Sequence, residues 1–582
     1  MTTVAATRFA AEFLGSLVGL GVTDIIVCPG SRSQALALTA VALAQRGDLR
    51  VHVRMDERAA AFLALGIAVE SGVPAPVITT SGSAVANLLP AVVEAHHAHV
   101  PMMLLTADRP AAMRGTGANQ VTIQPGMFGE FVSWESDVVV SQVVSQEPET
   151  SGQVIVLATT AWQHAQSGPA HVNLQFIEPL SSPIDDDVLH MADQAAEKAR
   201  DAARVEDADS AEGNHAGVNI ELTRGLLTVV VAGADAGDRA EALAFEGGWP
   251  LIAEVSSGAR FGRNLIVNYR EALSTPELAD EIGRVIVFGH PTLTRQIPQL
   301  IQRPDVETIH VRPDDRVMLA AGSNSNDSGP NDSGPKDSGP NSPGPNETDV
   351  LNRWRRFDRD VSEKRAAQLA ETSAAVRAPN VDTARSANPK DQRLFVDGEL
   401  AASRAEVTRE LLVDAVWRAT WPHDRLVFGA SRLIRVADST LPGKKITVHA
   451  NRGLSGIDGN IGTGMGIALA AAPALTRVVL GDVAALHDAG SMLIPRGDVR
   501  PRVQVIVGND GGGSIFDQLE VADSADPNAF DRVMFTSHDA SFEQLAAAYG
   551  WRYVRADTMG DLERALTGAG DEPELVEVRL AR

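Results

Sequence analysis

Short apolar segments alternate with longer amphipathic segments over the first 180 residues of the chain. Buried strands are predicted at residues 23–28, 50–54, 76–80, 102–107 and 171–176. Helices are predicted between them, the first two at residues 33–44 and 57–70. Continuous apolar strands separated by helices are typical of a parallel sheet that is covered on both faces. This part of the chain is therefore predicted to be an α/β unit.

The same alternation returns in two later parts of the chain. In the second part, strands are predicted at residues 227–232, 251–254, 284–288 and 308–311. In the third part, they are predicted at residues 426–428, 446–450, 477–480, 503–507 and 575–579. The predicted fold class is α/β, with three open, mostly parallel sheets. Such sheets bind ligands at the carboxyl ends of their strands.

Two segments interrupt this pattern. Residues 185–212 carry ten acidic and three basic side chains, which indicates a solvated linker with a helical part. Residues 323–350 repeat Asn-Asp-Ser-Gly-Pro, a composition that cannot bury a core and that indicates a disordered insertion. We therefore predict α/β domains at 1–184, 216–380 and 381–582, with the linker at 185–215.

Composition and charge exclude several classes of protein. The 582 residues carry 51 basic and 75 acidic side chains, a net charge of −24, so binding to nucleic acid phosphates is not expected. The one cysteine, Cys28, excludes an internal disulfide framework and a cysteine metal cluster. No apolar run of about 20 residues and no targeting segment is visible, so we expect a cytoplasmic protein without membrane contact.

Polar residues follow two predicted strands of the third part. Gly481 and Asp482 end one strand, and Asn509, Asp510 and Gly511 end the next. A carboxylate, an amide oxygen and a backbone carbonyl at one sheet edge are ligands suited to Mg²⁺, with room for phosphate oxygens. The alternative interpretation is two unrelated strand–loop junctions, where Asp, Asn and Gly are common.

Arginine residues also follow predicted strands, at four places. The residues concerned and their polar neighbours are Ser31 and Arg32, Arg109 with Asn119 and Gln120, Ser431 with Arg435, and Arg452. Guanidinium groups at strand ends indicate a polyanionic substrate, because arginine binds carboxylates in a bidentate manner. For any single arginine, a structural role remains the alternative.

Two further motifs have an ordinary structural explanation when taken alone. Asp56 and Glu57 stand at the start of a predicted helix, where a carboxylate is a favourable end charge. Glycines at positions 462, 464 and 466 imitate a dinucleotide-binding motif, but they follow a loop rather than a strand. We interpret them as positions of close helix packing. A nicotinamide-dependent dehydrogenase remains the alternative function.

Together these motifs resemble those of the thiamine-diphosphate-dependent decarboxylase superfamily. The closest resemblance is to its carboligases of menaquinone biosynthesis. It rests on the motifs at residues 29–33, 56–58, 80–84, 106–110, 117–120, 451–453, 455–459, 481–482, 509–511 and 515–516. It covers the first and third parts well and the middle part weakly. Val483 replaces the glycine of most superfamily members, and Asn509 is not in an Asn-Asn pair, so an alignment shifted by one residue would make Asp510 the metal ligand.

The resemblance implies three domains: a pyrimidine-binding domain at 1–184, a central domain and a diphosphate-binding domain at 381–582. It implies thiamine diphosphate with Mg²⁺ or Mn²⁺ as cofactors, and a site shared by two subunits of a homodimer or homotetramer. The implied metal ligands are Asp482, Asn509 and Gly511. The implied cofactor contacts are Glu57, Ser431, Ile457, Asp482, Asn509, Ile515 and Phe516.

The resemblance further implies a transferase that decarboxylates 2-oxoglutarate and adds the product to isochorismate; both substrates are dicarboxylates. The implied catalytic residues are Glu57, Arg32 and Gln120. The implied substrate contacts are Ser31, Arg32, Arg109, Asn119, Gln120, Arg295, Arg435, Arg452 and Leu519. Another thiamine-diphosphate-dependent 2-oxoacid decarboxylase or carboligase is the nearest alternative.

Overall fold

The computed structural model describes residues 3–144, 152–211, 217–320, 345–373 and 381–582. Its strands are β1 (Asp24–Val27), β2 (Arg50–Val53), β3 (Val77–Thr79), β4 (Met102–Asp108), β5 (Trp134–Val139), β6 (Pro169–Gln175), β7 (Asn219–Leu222), β8 (Thr228–Ala232), β9 (Leu251–Ala253), β10 (Arg284–Phe288), β11 (Glu307–Val311), β12 (Arg316–Leu319), β13 (Arg425–Phe428), β14 (Thr447–His449), β15 (Thr476–Gly481), β16 (Val503–Asn509), β17 (Arg552–Ala556) and β18 (Glu574–Arg579).

Its α-helices in the first half are α1 (Ala5–Gly19), α2 (Gln34–Arg46), α3 (Glu57–Ser71), α4 (Ser83–Ala86), α5 (Leu89–Ala98), α6 (Val140–Val143), α7 (Gln153–Ala165), α8 (Asp186–Ala211), α9 (Arg239–Gly247), α10 (Tyr269–Leu273) and α11 (Pro276–Ala279). Those in the second half are α12 (Gln296–Ile301), α13 (Pro345–Thr372), α14 (Val381–Arg385), α15 (Pro389–Ser403), α16 (Arg409–Ala419), α17 (Arg432–Thr440), α18 (Asn460–Ala470), α19 (Asp482–His487), α20 (Glu520–Ser524), α21 (Pro527–Phe530), α22 (Phe542–Tyr549) and α23 (Met559–Thr567). No helix in the described ranges is long and apolar enough to cross a membrane.

The first and third sheets have six parallel strands each and share one topology. The first has the order β2-β1-β3-β4-β6-β5, and the third has the order β14-β13-β15-β16-β18-β17. In each sheet the first strand in sequence, β1 or β13, pairs on one side with the strand that follows it, β2 or β14. The chain then returns to pair with its other side as β3 or β15. Such a switch point leaves a crevice at the carboxyl ends of the two strands.

The central sheet is smaller, with four parallel strands in the order β11-β10-β8-β9, and a separate pair is formed by β12 and β7. All pairings between named strands in the three large sheets are parallel. The inner strands β3, β4, β6, β8 and β10 are buried along their whole length, which explains their continuous apolar sequences. The predicted α/β class with mostly parallel sheets is confirmed.

The helical part predicted for the acidic segment at 185–215 is confirmed and covers nearly all of its described residues, but this helix is not solvated on every side. The segment forms helix α8, and one face of α8 packs against α1. A Cβ atom on Gly15 would lie 2.3 Å from the Ala192 carbonyl oxygen, and one on Gly19 would lie 2.2 Å from that of Ala196. The charges therefore belong to the outer face of a packed helix. Of the predicted insertion, 323–344 lies outside the described residues, and α13 begins at Pro345.

Glycine residues allow α3 of the first part to lie directly against α18 of the third. A Cβ atom on Gly66 would come within 2.0 Å of the Thr463 carbonyl oxygen, and one on Gly466 within 2.2 Å of that of Leu63. Real Cβ atoms do not approach so closely, so the two backbones touch only because both positions are glycine. The interpretation of glycines 462–466 as packing positions is confirmed, and this contact fixes the first sheet relative to the third.

Candidate active site

A cavity of about 410 Å³ lies at the carboxyl edge of the third sheet, next to its switch point. Ser431 follows β13, Gly481 ends β15 and Asp482 follows it. Gly508 lies near the end of β16 and Asp510 follows that strand, and all five residues line the cavity. The described lining residues come from position 292 and from positions 409–580. The cavity therefore lies where an open parallel sheet binds ligands.

Many of the residues predicted from the sequence line this one cavity. They are Ser431, Arg435, Arg452, Ile457, Asp482, Ile515, Phe516 and Leu519. Arg295 is exposed and lies close enough to Arg435 for the two charges to interact. The structure thus brings together predicted residues that are separated by up to 88 positions in the chain.

Asp482 is the buried carboxylate of the cavity, with 2% of its surface exposed. One oxygen accepts a hydrogen bond from the Val483 amide at 2.7 Å, and the other lies 3.2 Å from Nε2 of His538. Burial and the nearby charge of Asp510 raise the pKa of Asp482. Two neighbouring carboxylates in a partly dry site are stabilised by a cation, which suits a divalent metal ion.

In the 509–511 loop, the side chains of Asn509 and Asp510 make different contacts. The Asp510 carboxylate accepts hydrogen bonds from Arg409 and from the Ser514 hydroxyl. Asn509 instead donates to Oε1 of Glu577 at 2.6 Å, and its oxygen accepts from the Gly511 amide at 3.1 Å. Asp510 therefore lies close enough to Asp482 for the two charges to interact, whereas the Asn509 side chain is hydrogen-bonded to Glu577.

A second cavity, of about 870 Å³, adjoins this loop. Asn509, Asp510, Gly511 and His538 are among its lining residues, so Asp510 borders both cavities. In the described part of the chain, no group of three or more His, Cys, Asp or Glu side chains could hold a metal ion. A metal ion at Asp482 would thus take other ligands from backbone carbonyls, amides or the oxygens of a bound molecule.

Several arginine side chains also line the first cavity. Burial, together with the charges of Arg270 and Arg295, lowers the pKa of Arg435. Burial and the charge of Arg409 lower the pKa of Arg432, and Nε of Arg432 is buried without a hydrogen-bond partner among the described residues. Guanidinium groups that repel one another, one of them with an Nε that has no partner in the described structure, are suited to an anionic ligand. The sequence reasoning missed Arg409 and Arg432, although Arg432 directly follows Ser431.

Arg452 is the most deeply buried arginine of the cavity, with 7% of its surface exposed. Its Nε donates to Oγ1 of Thr292 at 2.7 Å, and its Nη2 donates to the Thr292 carbonyl at 3.2 Å. Burial lowers its pKa, and the charges of Glu254 and Glu94 partly offset that effect. Thr292 belongs to the central part of the chain, so the middle region contributes directly to the lining.

Glu57 is the first residue of α3 and is not among the described lining residues of the cavity. The helix start is fixed by Asp56, whose carboxylate accepts hydrogen bonds from the amides of Arg58 and Ala59 at 2.9 and 3.3 Å. Oε2 of Glu57 accepts a hydrogen bond from Asn87 at 3.1 Å. The carboxylate is thus held in one orientation at the carboxyl edge of the first sheet.

A second cluster of predicted residues lies at the same edge of the first sheet. Nη1 of Arg109 donates to Oγ of Ser81 at 2.8 Å and to the Gln120 carbonyl at 3.0 Å. Gln120 has a φ of +58° and donates through Nε2 to the Ser81 carbonyl at 2.9 Å. A residue other than glycine held at positive φ is a mark of functional sites.

Arg32 belongs to this cluster. Burial and the charge of Arg109 lower its pKa, and its Nη1 donates to the Phe176 carbonyl at 3.3 Å. Ser31 and Asn119 are exposed beside it. Two adjacent arginines make this edge a second place suited to anions. The predicted residues thus form two groups, one in the cavity and one at the edge of the first sheet.

Comparison with known families and proteins agrees with this arrangement. Residues 7–127 match the family described as "Thiamine pyrophosphate enzyme, N-terminal TPP binding domain". Residues 438–578 match "Thiamine pyrophosphate enzyme, C-terminal TPP binding domain". These segments contain Glu57 and Asp482, respectively.

Two curated proteins are similar to the chain over nearly its full length. A protein of Clavibacter michiganensis subsp. michiganensis is 50% identical over 99% of this chain and 96% of its own length. A protein of Leifsonia xyli subsp. xyli is 46% identical over 99% of this chain and 97% of its own length. Both are named 2-succinyl-5-enolpyruvyl-6-hydroxy-3-cyclohexene-1-carboxylate synthase.

Proposed function

The chain belongs to the 2-succinyl-5-enolpyruvyl-6-hydroxy-3-cyclohexene-1-carboxylate synthase family, and we propose that it performs this reaction with the residues described above. It is a thiamine-diphosphate-dependent transferase of menaquinone biosynthesis. The reaction releases CO₂ from 2-oxoglutarate and adds the remaining four-carbon unit to isochorismate. The observation that supports these residue roles best is the single cavity that joins the buried Asp482 to Arg435 and Arg452.

The cavity fits thiamine diphosphate and a divalent metal ion. Asp482 is a buried carboxylate whose pKa is raised by burial and by Asp510, so it would be stabilised by a cation. The unpartnered Nε of Arg432 lies in the same lining and suits an anionic group. We propose that Asp482 and the 509–511 loop hold the metal ion, with Asn509 and the Gly511 carbonyl as ligands and Asp510 as the alternative to Asn509.

When bound, thiamine diphosphate supplies the carbon nucleophile and the electron sink that decarboxylation of a 2-oxoacid requires. We propose that Ser431 and Ile457 hold the cofactor in place. Ile515, Phe516 and Leu519 provide an apolar wall that excludes water from the reacting carbon. Glu57 holds or exchanges a proton at a ring nitrogen of the pyrimidine, because it is a fixed carboxylate without a guanidinium partner in the described structure.

The arginines are proposed to bind the substrate carboxylates. Arg435 and Arg452 act from the cavity, and the exposed Arg295 lies beside Arg435. Arg32 and Arg109 act from the edge of the first sheet. Charge-assisted hydrogen bonds of this kind orient both substrates and stabilise the negative charge that develops during the reaction. Three residues with hydrogen-bonding side chains at the edge of the first sheet complete the proposed substrate contacts. They are Ser31, Asn119 and Gln120.

We further propose that the active enzyme is a homodimer or a homotetramer in which Glu57 of one copy faces the cavity of another. Support comes from the lining of the cavity, in which no described residue belongs to the first sheet. Support also comes from Met55 and Ile123, which lie near Glu57 and Gln120 in sequence and are 65% and 68% exposed. Large apolar side chains of that exposure suit a surface that a second copy covers.

Two assays test the function and the shared site. CO₂ release should require both 2-oxoglutarate and isochorismate, with thiamine diphosphate and Mg²⁺ present; release without isochorismate would indicate a simple decarboxylase. For the shared site, Glu57→Gln and Asp482→Ala chains should each be nearly inactive. Mixed after dissociation and reassociation, they should regain about a quarter of the wild-type activity, because half of the dimers then hold one intact site. No recovery would place Glu57 and Asp482 of one chain in the same site.

A further inference from the structure

A glutamate of the central region, Glu254, holds the part of the cavity that carries Arg452. Glu254 directly follows β9 and is fully buried. Its Oε1 accepts hydrogen bonds from the amides of Thr292 and Leu293 at 2.8 and 2.6 Å. Thr292 in turn accepts two hydrogen bonds from Arg452, at its hydroxyl and at its carbonyl. A continuous chain of hydrogen bonds therefore connects the Glu254 carboxyl to the Arg452 guanidinium.

Arg452 depends on this contact for its orientation. In the described structure, both hydrogen bonds donated by the Arg452 guanidinium go to Thr292. The Thr292 segment follows β10, and Glu254 fastens it through two amides to the neighbouring end of β9. Side chains that place a ligand-binding group through another residue are as important for precise geometry as the contacts themselves.

We propose that Glu254 is a positioning residue for the substrate-binding Arg452, and that the ionisation of Glu254 sets how strongly Arg452 attracts a substrate carboxylate. This inference rests on the proposed function, because it assigns Arg452 to a substrate. With Glu254 neutral, the charge of Arg452 is free to act on the substrate. With Glu254 ionised, a second carboxylate competes for that charge.

The surroundings of Glu254 favour its neutral form near neutral pH. Burial and the charge of Asp438 raise its pKa to about 8, against the opposing effects of the Thr292 and Leu293 amides and of Arg452. Charged and titratable groups reach this place from all three parts of the chain. They are Arg260, Tyr269 and Arg270 from the central part, Asp438, Arg435 and Arg452 from the third part, and Glu94 from the first.

Most of those other groups are already paired. Oδ2 of Asp438 accepts hydrogen bonds from the Tyr269 hydroxyl at 2.5 Å and from Arg270 at 2.7 Å. Glu94 accepts from the amides of Gly453 and Leu454 at 2.7 and 2.8 Å. Glu254 thus differs from Asp438, since Glu254 is buried without a direct hydrogen bond from an arginine or lysine side chain in the described structure.

The test is the pH dependence of KM. The carboxylates of both substrates stay ionised above pH 6.5, so a change between pH 7 and pH 9.5 reports on the protein. For the wild type, KM for the substrate held by Arg452 should rise about fivefold or more over this range. Fivefold is the lower end of the range over which one binding event usually changes the affinity of another. Glu254→Gln should keep the low-pH value throughout, because its amide oxygen still accepts from the two backbone amides.

Three controls separate positioning from general damage. Glu574, at the start of β18, is another buried glutamate and accepts a hydrogen bond from Gln504 at 2.7 Å. The Glu574→Gln variant should follow the wild-type profile. Thr292→Val loses the hydroxyl that accepts from Arg452 and should raise KM at every pH. Thr292→Ser keeps a hydroxyl and should have the wild-type KM. The inference is overturned if Glu254→Gln follows the wild-type profile, or if it lowers kcat equally at every pH with KM unchanged.

A spectroscopic measurement keeps the inference testable apart from turnover. Infrared spectra of the wild type at pH 6.5 should contain a carbonyl band of a protonated carboxyl that is absent from Glu254→Gln and lost by pH 9.5. A wild type that shows this band but releases no CO₂ would refute the proposed function and leave the ionisation of Glu254 established. A wild type that releases CO₂ and lacks the band would refute the inference alone.

Discussion

Replacement of Glu70 by glutamine should weaken the junction between the first and third parts of the chain. Glu70 lies on α3, and its carboxylate accepts hydrogen bonds from Nε and Nη2 of Arg425 at 2.8 and 2.6 Å. Nε2 of His449 lies 3.1 Å from its other oxygen. Burial alone would raise the pKa of Glu70, but His449 and Arg425 outweigh burial and lower it to about 2. The ionised form is therefore stabilised by folding.

The size of the effect follows from that pKa. A fall from 4.5 to about 2 corresponds to about 3.4 kcal/mol at 1.36 kcal/mol per pH unit. Because water still reaches the carboxylate in part, we reduce this figure to about 2 kcal/mol. For a cooperative unit the size of the third part, that corresponds to a fall in Tm of about 4–8 °C at pH 7.

The pH dependence has a definite sign. A carboxylate whose pKa is lowered by folding stabilises the protein above its unfolded pKa, here 4.5, and loses that effect as pH falls towards 2. The difference in Tm between the wild type and Glu70→Gln should thus be full at pH 7 and smaller by about half at pH 3.

Thermal unfolding followed by calorimetry measures both quantities. Glu572→Gln is the matched control, because Glu572 accepts from Nε of Arg500 at 2.6 Å but is 68% exposed in its side chain. That substitution should change Tm by less than about 1 °C, as exposed ion pairs contribute little. A Glu70→Gln variant with an equally small change, or with a loss that is the same at pH 7 and pH 3, would refute the reasoning.

Two further predictions concern the metal site and the helix contact. Asp482→Ala should weaken the binding of Mg²⁺ and thiamine diphosphate at least tenfold, as measured by calorimetry. Asp571→Ala changes an exposed carboxylate and should leave both affinities unchanged. An unchanged affinity in Asp482→Ala would exclude Asp482 as a ligand. Asn509→Ala and Asp510→Ala, measured in the same way, decide which of the two is the second ligand. Gly466→Ala should destabilise the protein by about 1–3 kcal/mol in denaturant unfolding, because the new methyl group meets the Leu63 carbonyl at 2.2 Å. Gly398→Ala, within α15 and with no atom of the described residues within 4 Å of the new methyl group, should instead be neutral or stabilising by up to about 1 kcal/mol.

Some strands and the packing of one helix were not predicted from the sequence, and the reason is physical. Strands β5 and β17 were not predicted, and each is the edge strand at the same position of its sheet. Edge strands are half exposed, so they lack the continuous apolar sequence that marked the inner strands. For α8 the sequence analysis predicted a helical part but not its packing on α1, because the small residues that make this contact stand among many charged ones.

Parts of the candidate site were visible in local sequence. Asp482 and Ser431 follow apolar strands, and strand ends are where parallel sheets place their ligands. The packing role of Gly466 was also predictable, because a helix rich in glycine without a preceding strand does not bind a dinucleotide. These inferences depend on neighbours within a few positions, which the sequence displays directly.

The alternation of apolar strands and helices, and the polar residues at strand ends, determined the α/β class and the identity of many lining residues. The tertiary structure alone decided which of these residues meet. Glu57 lies outside the cavity lined by Asp482, Asn509 turns to Glu577, and Glu254 reaches Arg452 through Thr292. Backbone periodicity is a local property and is written in consecutive residues. Contacts across separate sheets depend on how whole layers pack, and such contacts leave no local trace in the sequence.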